Sequence, residues 1–323
     1  MKVGVVGVGA VGAATVLSLI ERGGMCREIV VVDRITERAA GVAADMRYAA
    51  PLSSVVDVRA GGYQDLGGAA LVVITAGANE KAGGATDRSD AQGRLRLLET
   101  NAKVYADIVP RVVSVAPQAV LMVVTDPPDP LADLTRHLAG HDRVFSTGTL
   151  IDSLRFRVHL ADRLRVRPSD VQAMVVGEHG TSEVLLWSSA MVGGIPVLEL
   201  LGDDGQSLDA VREDIEASIR YANITIIEGT GASQYGIGAV SARLVEAVLR
   251  DERAVLPVAA YNPEFEVTLS LVSVLGADGV LRMYQPRMNP EERAALDRSV
   301  STLREARRRA LDIGDQQRTA GPG

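Results

Sequence analysis

The opening segment KVGVVGVGAVGAATVLSLIER constrains the fold more than any other part of the chain. A strand-length run, Val3–Val6, is followed at once by Gly7, Gly9 and Gly12, and then by a helical pattern over Ala13–Arg22. A strand that turns through glycines straight into a helix opens a βαβ unit, in which the helix carries the chain back to start a parallel strand. Ile29–Val32 supplies that second strand, and Asp33 follows it, twenty-one residues after Gly12. In such a unit the glycines permit a tight turn and close backbone approach. The helix N-terminus attracts a pyrophosphate, and the acid takes ribose hydroxyls. Gly7, Gly9, Gly12 and Asp33 are therefore candidate dinucleotide ligands. The charge of Asp33 repels a 2′-phosphate and favours NAD, while Arg34 next to it works against that preference. The plain alternative is a glycine-rich turn in an α/β fold that binds no nucleotide.

The alternation continues. Val55–Arg59, Leu71–Thr75, Val120–Val124 and Val144–Ser146 read as further strands, with helices over Thr36–Arg47 and Leu95–Ser114. Strands apolar on both faces and joined by helical crossovers imply a doubly covered parallel sheet. Past Gly148 the pattern changes. Helices are expected at Asp152–Leu164, Leu208–Glu228, Gly238–Leu249 and Glu291–Leu311, with strand-like runs at Val171–Val176, Val255–Ala260 and Phe265–Leu275. The expected architecture is α/β: a Rossmann-type domain over residues 1–148 and a second, α+β substrate domain over 149–313. The tail 314–323, GDQQRTAGPG, has no packing face and is expected to fray.

Composition excludes several function classes. A net charge of −7 gives no basic field for a nucleic-acid groove. No apolar run approaches the ~20 residues of a membrane span. The single cysteine, Cys26, permits no internal disulfide and no Cys/His metal cluster. These features, with a strand already under way at the N-terminus, point to a cytoplasmic protein without a resident metal.

Three stretches carry the chemistry. GTLIDSLRFR places Asp152 and Arg155 three apart at a helix start, VVGEHGTSEV puts His179 on a glycine-flanked turn after a strand, and RLRLLETN opens on Arg94. Just before Arg94, Ala76–Gly93 contains no Leu, Ile, Val, Phe or Trp. A polar loop of that length inside a compact domain is usually functional or disordered. Singly, each candidate has a bland reading: an exposed helix pair, a turn histidine, a helix-start charge. Together, in the order GVGAVG, TAG, RLRLLETN, DSLRFR, GEHG and IIEGTGASQYGIG, they resemble the lactate/malate dehydrogenase family from the first strand to the final helix. The resemblance implies an NAD-dependent 2-hydroxy acid dehydrogenase and assigns roles. His179 is the acid/base, Asp152 orients its ring, Arg155 grips the substrate carboxylate, and Arg94 polarises the carbonyl as the loop closes. It sets Ala76, Gly77, Asn101 and Val124 on the cofactor side and implies a homodimer or homotetramer.

The sequence also departs from the family pattern. Asp126, in TDPPDP, stands where the family has an Asn that donates to the reacting oxygen, and a carboxylate only accepts. Glu80 stands where relatives carry Gln or Arg to read the far end of the substrate. Ser233 keeps the hydroxyl of a usual Thr, Thr181 replaces an acid, and the polar loop is longer than usual. Two acceptors in one closed site predict a substrate that is neither malate nor plain lactate, but a larger 2-oxo acid with a cationic or donor group. Two other readings compete. One is a nucleotide-binding relative that has lost its chemistry, with Asp126 as the damage. The other is an NAD-dependent glycosidase, which requires a metal site.

Overall fold

The computed structural model describes residues 1–53, 56–79, 93–201 and 207–319. Its centre is a sheet of six parallel strands: β1 (Lys2–Val6), β2 (Glu28–Val32), β3 (Asp57–Ala60), β4 (Leu71–Ile74), β5 (Val120–Val123) and β6 (Val144–Ser146). They lie in the order β6-β5-β4-β1-β2-β3. Chain order reverses between β1 and β4, and ligands of open α/β sheets bind outside the carboxyl ends of the strands at such a switch point. Every residue of β4 and β5 is buried, as the Val- and Leu-rich runs require of strands covered on both faces. On one face α1 (Ala10–Arg22) packs against the Tyr235–Leu249 helix. On the other lie α3 (Gly93–Val115), α4 (Pro128–Ala139) and the final helix, Pro290–Thr319. The helix α2 (Thr36–Ser53) runs past the Arg47 expected as its end.

The second half does not stay apart from this sheet. Ala259–Asn262 pairs antiparallel with β6, and Val267–Ser270 pairs antiparallel with Ala259–Asn262, making eight strands in all. Each of the two strand-like runs expected here is in fact two strands. Pro257 offers no N–H to a ladder, so Ala254–Leu256 pairs with Val272–Gly276 while Ala259–Asn262 joins the central sheet. The Val171–Val176 run likewise divides into Val171–Gln172 and Val175–Val176. The expected helix Leu208–Glu228 is broken at Tyr221 into Leu208–Arg220 and Ala222–Thr230.

The tail is a further correction. The final helix continues to Thr319, and Gly314 lies buried in it. A Cβ on Gly314 would come 2.5 Å from a methyl of Leu134 on α4, so the glycine lets the two helices meet. Residues 320–323 fall outside the described residues. Trp187 is core, edge-on to Phe156 with ring centroids 4.7 Å apart and its indole N–H on Glu216.

Candidate active site

A cleft of about 680 Å³ opens at the carboxyl ends of β1, β4 and β5. Its floor begins with the glycines. Gly7 has φ +90°, and a Cβ there would lie 2.5 Å from the backbone of Ala76. A Cβ on Gly12 would lie 2.1 Å from the Gly7 carbonyl. A side chain at Gly7 would collide with the exit of β4, and one at Gly12 would push α1 away from the turn. Gly9 differs: it faces open space at the helix N-cap, and its cap makes no side-chain hydrogen bond. The first turn of α1 thus presents backbone N–H groups to the cleft, the arrangement that holds a pyrophosphate.

Asp33 directly follows β2, with its side chain 5% exposed. Its two oxygens accept the Val8 and Ile35 N–H groups at 2.9 Å each. Four lone-pair directions on a carboxylate leave room for ribose hydroxyls as well. The basic residue beside Asp33 in the cleft is Arg38, 3.7 Å away, whereas Arg34 is exposed and does not line it. The sequence reading had named Arg34 and passed over Arg38, which α2 returns to Asp33 one helical turn later. Gly77 and Val124 line the cleft. Ala76 lies just behind it, its carbonyl accepting the Thr125 hydroxyl. Asn101 is fully buried and sits beneath the cleft rather than in it. Its amide carries the Ala78 N–H at 2.7 Å and donates to the Asp126 carbonyl at 2.8 Å, tying the exit of β4 to that of β5.

At the other end of the cleft, residues from distant elements converge on one carboxylate. Asp152 is in the first turn of α5 (Leu150–Leu164), where the helix dipole favours a negative charge. The start of α5 is sewn to Val175–Val176: the Thr149 hydroxyl donates to the Val175 carbonyl at 2.5 Å, and the Val175 N–H to the Ser153 hydroxyl at 2.9 Å. That strand delivers His179. Asp152 Oδ2 lies 2.6 Å from His179 Nδ1, and its Oδ1 accepts from Arg155 Nη1 at 2.9 Å. The carboxyl is 1% exposed. Burial alone would raise its pKa; the charges and hydrogen bonds of His179 and Arg155 outweigh that and hold it below the ordinary carboxylate range.

His179 and Arg155 both line the cleft, with Asp126 and Ser233 beside them. Arg94 stands at the second residue of α3, with its side chain outside the described residues, and Glu80 lies outside them altogether. The sequence reading missed Asn223, which also lines the cleft, and Glu183. Glu183 is buried, and burial followed by repulsion from Asp152 raises its carboxyl well above the usual range. Among the described residues no group of three or more His, Cys, Asp or Glu is placed to hold a metal ion, and no helix is long and apolar enough to cross a membrane.

The chain matches the model of the lactate/malate dehydrogenase NAD-binding domain over residues 1–146 and that of the α/β C-terminal domain over 149–312. It belongs to the lactate/malate dehydrogenase family. It is an NAD-dependent 2-hydroxy acid dehydrogenase by that membership, and NAD is its cofactor. The L-lactate dehydrogenase of Deinococcus radiodurans is 45% identical over 307 residues, covering 94% of this chain and 97% of that one. The L-lactate dehydrogenase of Thermus aquaticus is 44% identical over 315 residues, covering 95% and 98%. Among solved structures, a minor L-lactate dehydrogenase of Enterococcus mundtii superposes with a TM-score of 0.86 at 33% identity, covering 94% of this chain and 96% of that one. These relatives give no support to a substrate other than lactate, nor to a glycosidase or a chemically inert relative.

Proposed function

We propose that the enzyme interconverts a short L-2-hydroxy acid of the lactate type and its 2-oxo acid, with His179 as acid/base. The observation that carries the reading is the single buried carboxylate of Asp152, bonded to the ring of His179 on one side and to Arg155 on the other. Gly7, Gly9, Gly12 and Asp33 would hold NADH in one half of the cleft, where it would supply a hydride to the substrate's carbonyl carbon. Arg155 binds the substrate carboxylate, its guanidinium fixed by Asp152 so that little rotamer freedom is lost on binding. With Nδ1 committed to Asp152, Nε2 gives its proton to the carbonyl oxygen, leaving the 2-hydroxy acid, NAD and a neutral imidazole. Asp152 stabilises the imidazolium before transfer and keeps the ring from turning. Arg94, at the foot of the polar segment, completes the constellation by polarising the same carbonyl.

The names of the relatives favour lactate and pyruvate over the larger cationic substrate expected from Glu80 and Asp126. The test is NADH oxidation by purified enzyme with pyruvate, oxaloacetate, longer neutral 2-oxo acids and amino-bearing ones, alongside His179→Asn. The reading requires turnover on pyruvate and its loss by roughly 10²–10⁴-fold in the variant with NADH binding retained. Pyruvate inert beside an active amino-bearing acid would restore the earlier expectation. A homodimer or homotetramer is supported by apolar side chains left exposed on α2 (Tyr48, Leu52) and α5 (Leu154, Val158), and light scattering tests it. The cytoplasmic reading rests on the lone buried thiol of Cys26, which suits a reducing compartment.

A further inference from the structure

His179 is held at two places. Asp152 holds its ring, and its backbone N–H donates to Asp129 Oδ2 at 2.8 Å. Asp129 comes from α4, three residues beyond the cleft residue Asp126, on the dinucleotide side of the chain. Its carboxyl is fully buried, and its other oxygen accepts the Ser146 hydroxyl at 2.7 Å from the end of β6. One helical turn further on, Asp133 repeats the arrangement. Its oxygens accept the N–H and the hydroxyl of Thr268 at 3.0 and 2.9 Å. Thr268 belongs to Val267–Ser270, and Ser270 exchanges two backbone hydrogen bonds of 2.9 Å with Gly177, two residues before His179. Two carboxylates at i and i+4 on one helix thus fix the histidine turn, one directly and one through a strand.

Neither carboxylate takes part in the chemistry above, and each is costly to bury. Burial pushes both to about 6 against the pull of their hydrogen bonds. The other residues that α4 buries include Leu131, Ala132 and Leu134, so an apolar packing face is available without them. The aspartates supply what an apolar side chain cannot, a fixed acceptor for a particular N–H on another element.

We propose that Asp129 is a positioning residue for the proton-transfer step: by accepting the His179 backbone N–H across the boundary between the two halves, it sets where the imidazole stands over the substrate. This rests on His179 being the acid/base. A displacement of ~1 Å at a reacting group costs on the order of 10²-fold in rate, so the bond should be visible in kcat.

The experiment uses the full chain with pyruvate and NADH, comparing Asp129→Ala, Asp129→Asn and His179→Asn. Melting curves establish folding, and the primary isotope effect with deuterated NADH reports whether chemistry has become rate-limiting. Asp129→Ala should lower kcat by about 10- to 100-fold, raise the isotope effect and leave NADH affinity and the pyruvate KM near wild type. Asp129→Asn keeps an oxygen for the His179 N–H and can donate its amide to the Ser146 hydroxyl, so it should recover most of the turnover. Unchanged kcat in Asp129→Ala would overturn the proposal, and so would an Asn variant no better than Ala, which would make the charge, not the position, the contribution. Should Asp129→Ala not fold, Ser146→Ala is the milder change: it frees one Asp129 oxygen and removes the acceptor of the Gly148 N–H, with its folding checked by the same melting curves. A smaller fall in kcat with a raised isotope effect is then expected, and wild-type values of both would refute the idea. Loss of turnover in His179→Asn with none in the Asp129 and Ser146 variants defeats this inference alone. Full turnover in His179→Asn defeats the functional reading beneath it.

Discussion

Replacing Asp152 by Asn keeps the size of the side chain and one acceptor oxygen but removes the charge that both His179 and Arg155 face. The size of the effect follows from the geometry. A hydrogen bond to a charged group contributes about 1.5–3 kcal/mol, and the 2.6 Å contact to His179 is of that kind. Unit charges about 4 Å apart at an effective dielectric of 20 interact by about 4 kcal/mol, an upper bound for the imidazolium. Arg155 shares the same carboxylate, which reduces what either cation gains from it. The lower half of the range therefore applies, and at about 1.4 kcal/mol per tenfold the reduction rate at neutral pH should fall roughly 10- to 100-fold.

Direction and pH make the test specific. Reduction of the 2-oxo acid draws on the imidazolium and oxidation of the hydroxy acid on the neutral ring, so Asp152→Asn should impair reduction more than oxidation, and most above mildly acidic pH. NADH affinity should hold, because Asp152 does not line the cleft. Stability has its own sign. Asp152 is held below its ordinary range, so its ionised form stabilises the native state above the unfolded carboxylate pKa, and that contribution is lost as pH falls through the folded value. The wild type should lose more of its melting temperature on acidification than the variant. Reduction and oxidation scanned against pH by NADH absorbance decide the matter. Equal losses in both directions, or reduction near wild type at neutral pH, would refute the role given to Asp152.

Three further outcomes are expected. Asp126→Asn should raise pyruvate turnover at neutral pH, because an amide donates to the developing alkoxide where a carboxylate repels it; a loss of turnover in steady-state assays would show that Asp126 turns away from the reacting oxygen. Arg94→Ala should lower kcat far more than Arg88→Ala, since Arg94 stands at the foot of α3 seven residues before Asn101; the reverse ranking would move the carbonyl-polarising role into the polar segment. Titration should show NADH bound more tightly than NADPH, with the preference narrowed in Asp33→Ser; equal affinities in the wild type would hand the ribose site to Arg38.

What the sequence made legible was local. The β1–glycine–α1 turn, Asp33 at the end of β2 and the Asp152/Arg155 spacing lie within short stretches whose periodicity and turn chemistry fix their geometry. The pairing of Asp152 with His179 was legible only through family order, because the bonds that join α5 to Val175–Val176 link residues more than twenty positions apart. Arg34 is the cation that sequence adjacency to Asp33 suggests, and nothing local marks Arg38. Arg34 lies in the bend before α2 and is exposed, whereas Arg38, in the first turn of α2, lines the cleft.

The aspartates of α4 show why the remainder could not be read. In PDPLADLTRHLA an amphipathic reading sends charges to the solvent face and leaves the leucines for the core. The structure instead buries Pro128 through Thr135 without a break. The cause is tertiary: α4 packs against α3, the final helix and Val267–Ser270 at once, so its first two turns have no solvent face. A carboxylate in that position persists only where another element brings it donors, and the donors are His179, Ser146 and Thr268, from parts of the chain that no window around α4 contains. The same enclosure that hid Asp129 from a periodicity argument leaves it no solvent to turn to, and so holds its carboxylate on the backbone of the His179 turn.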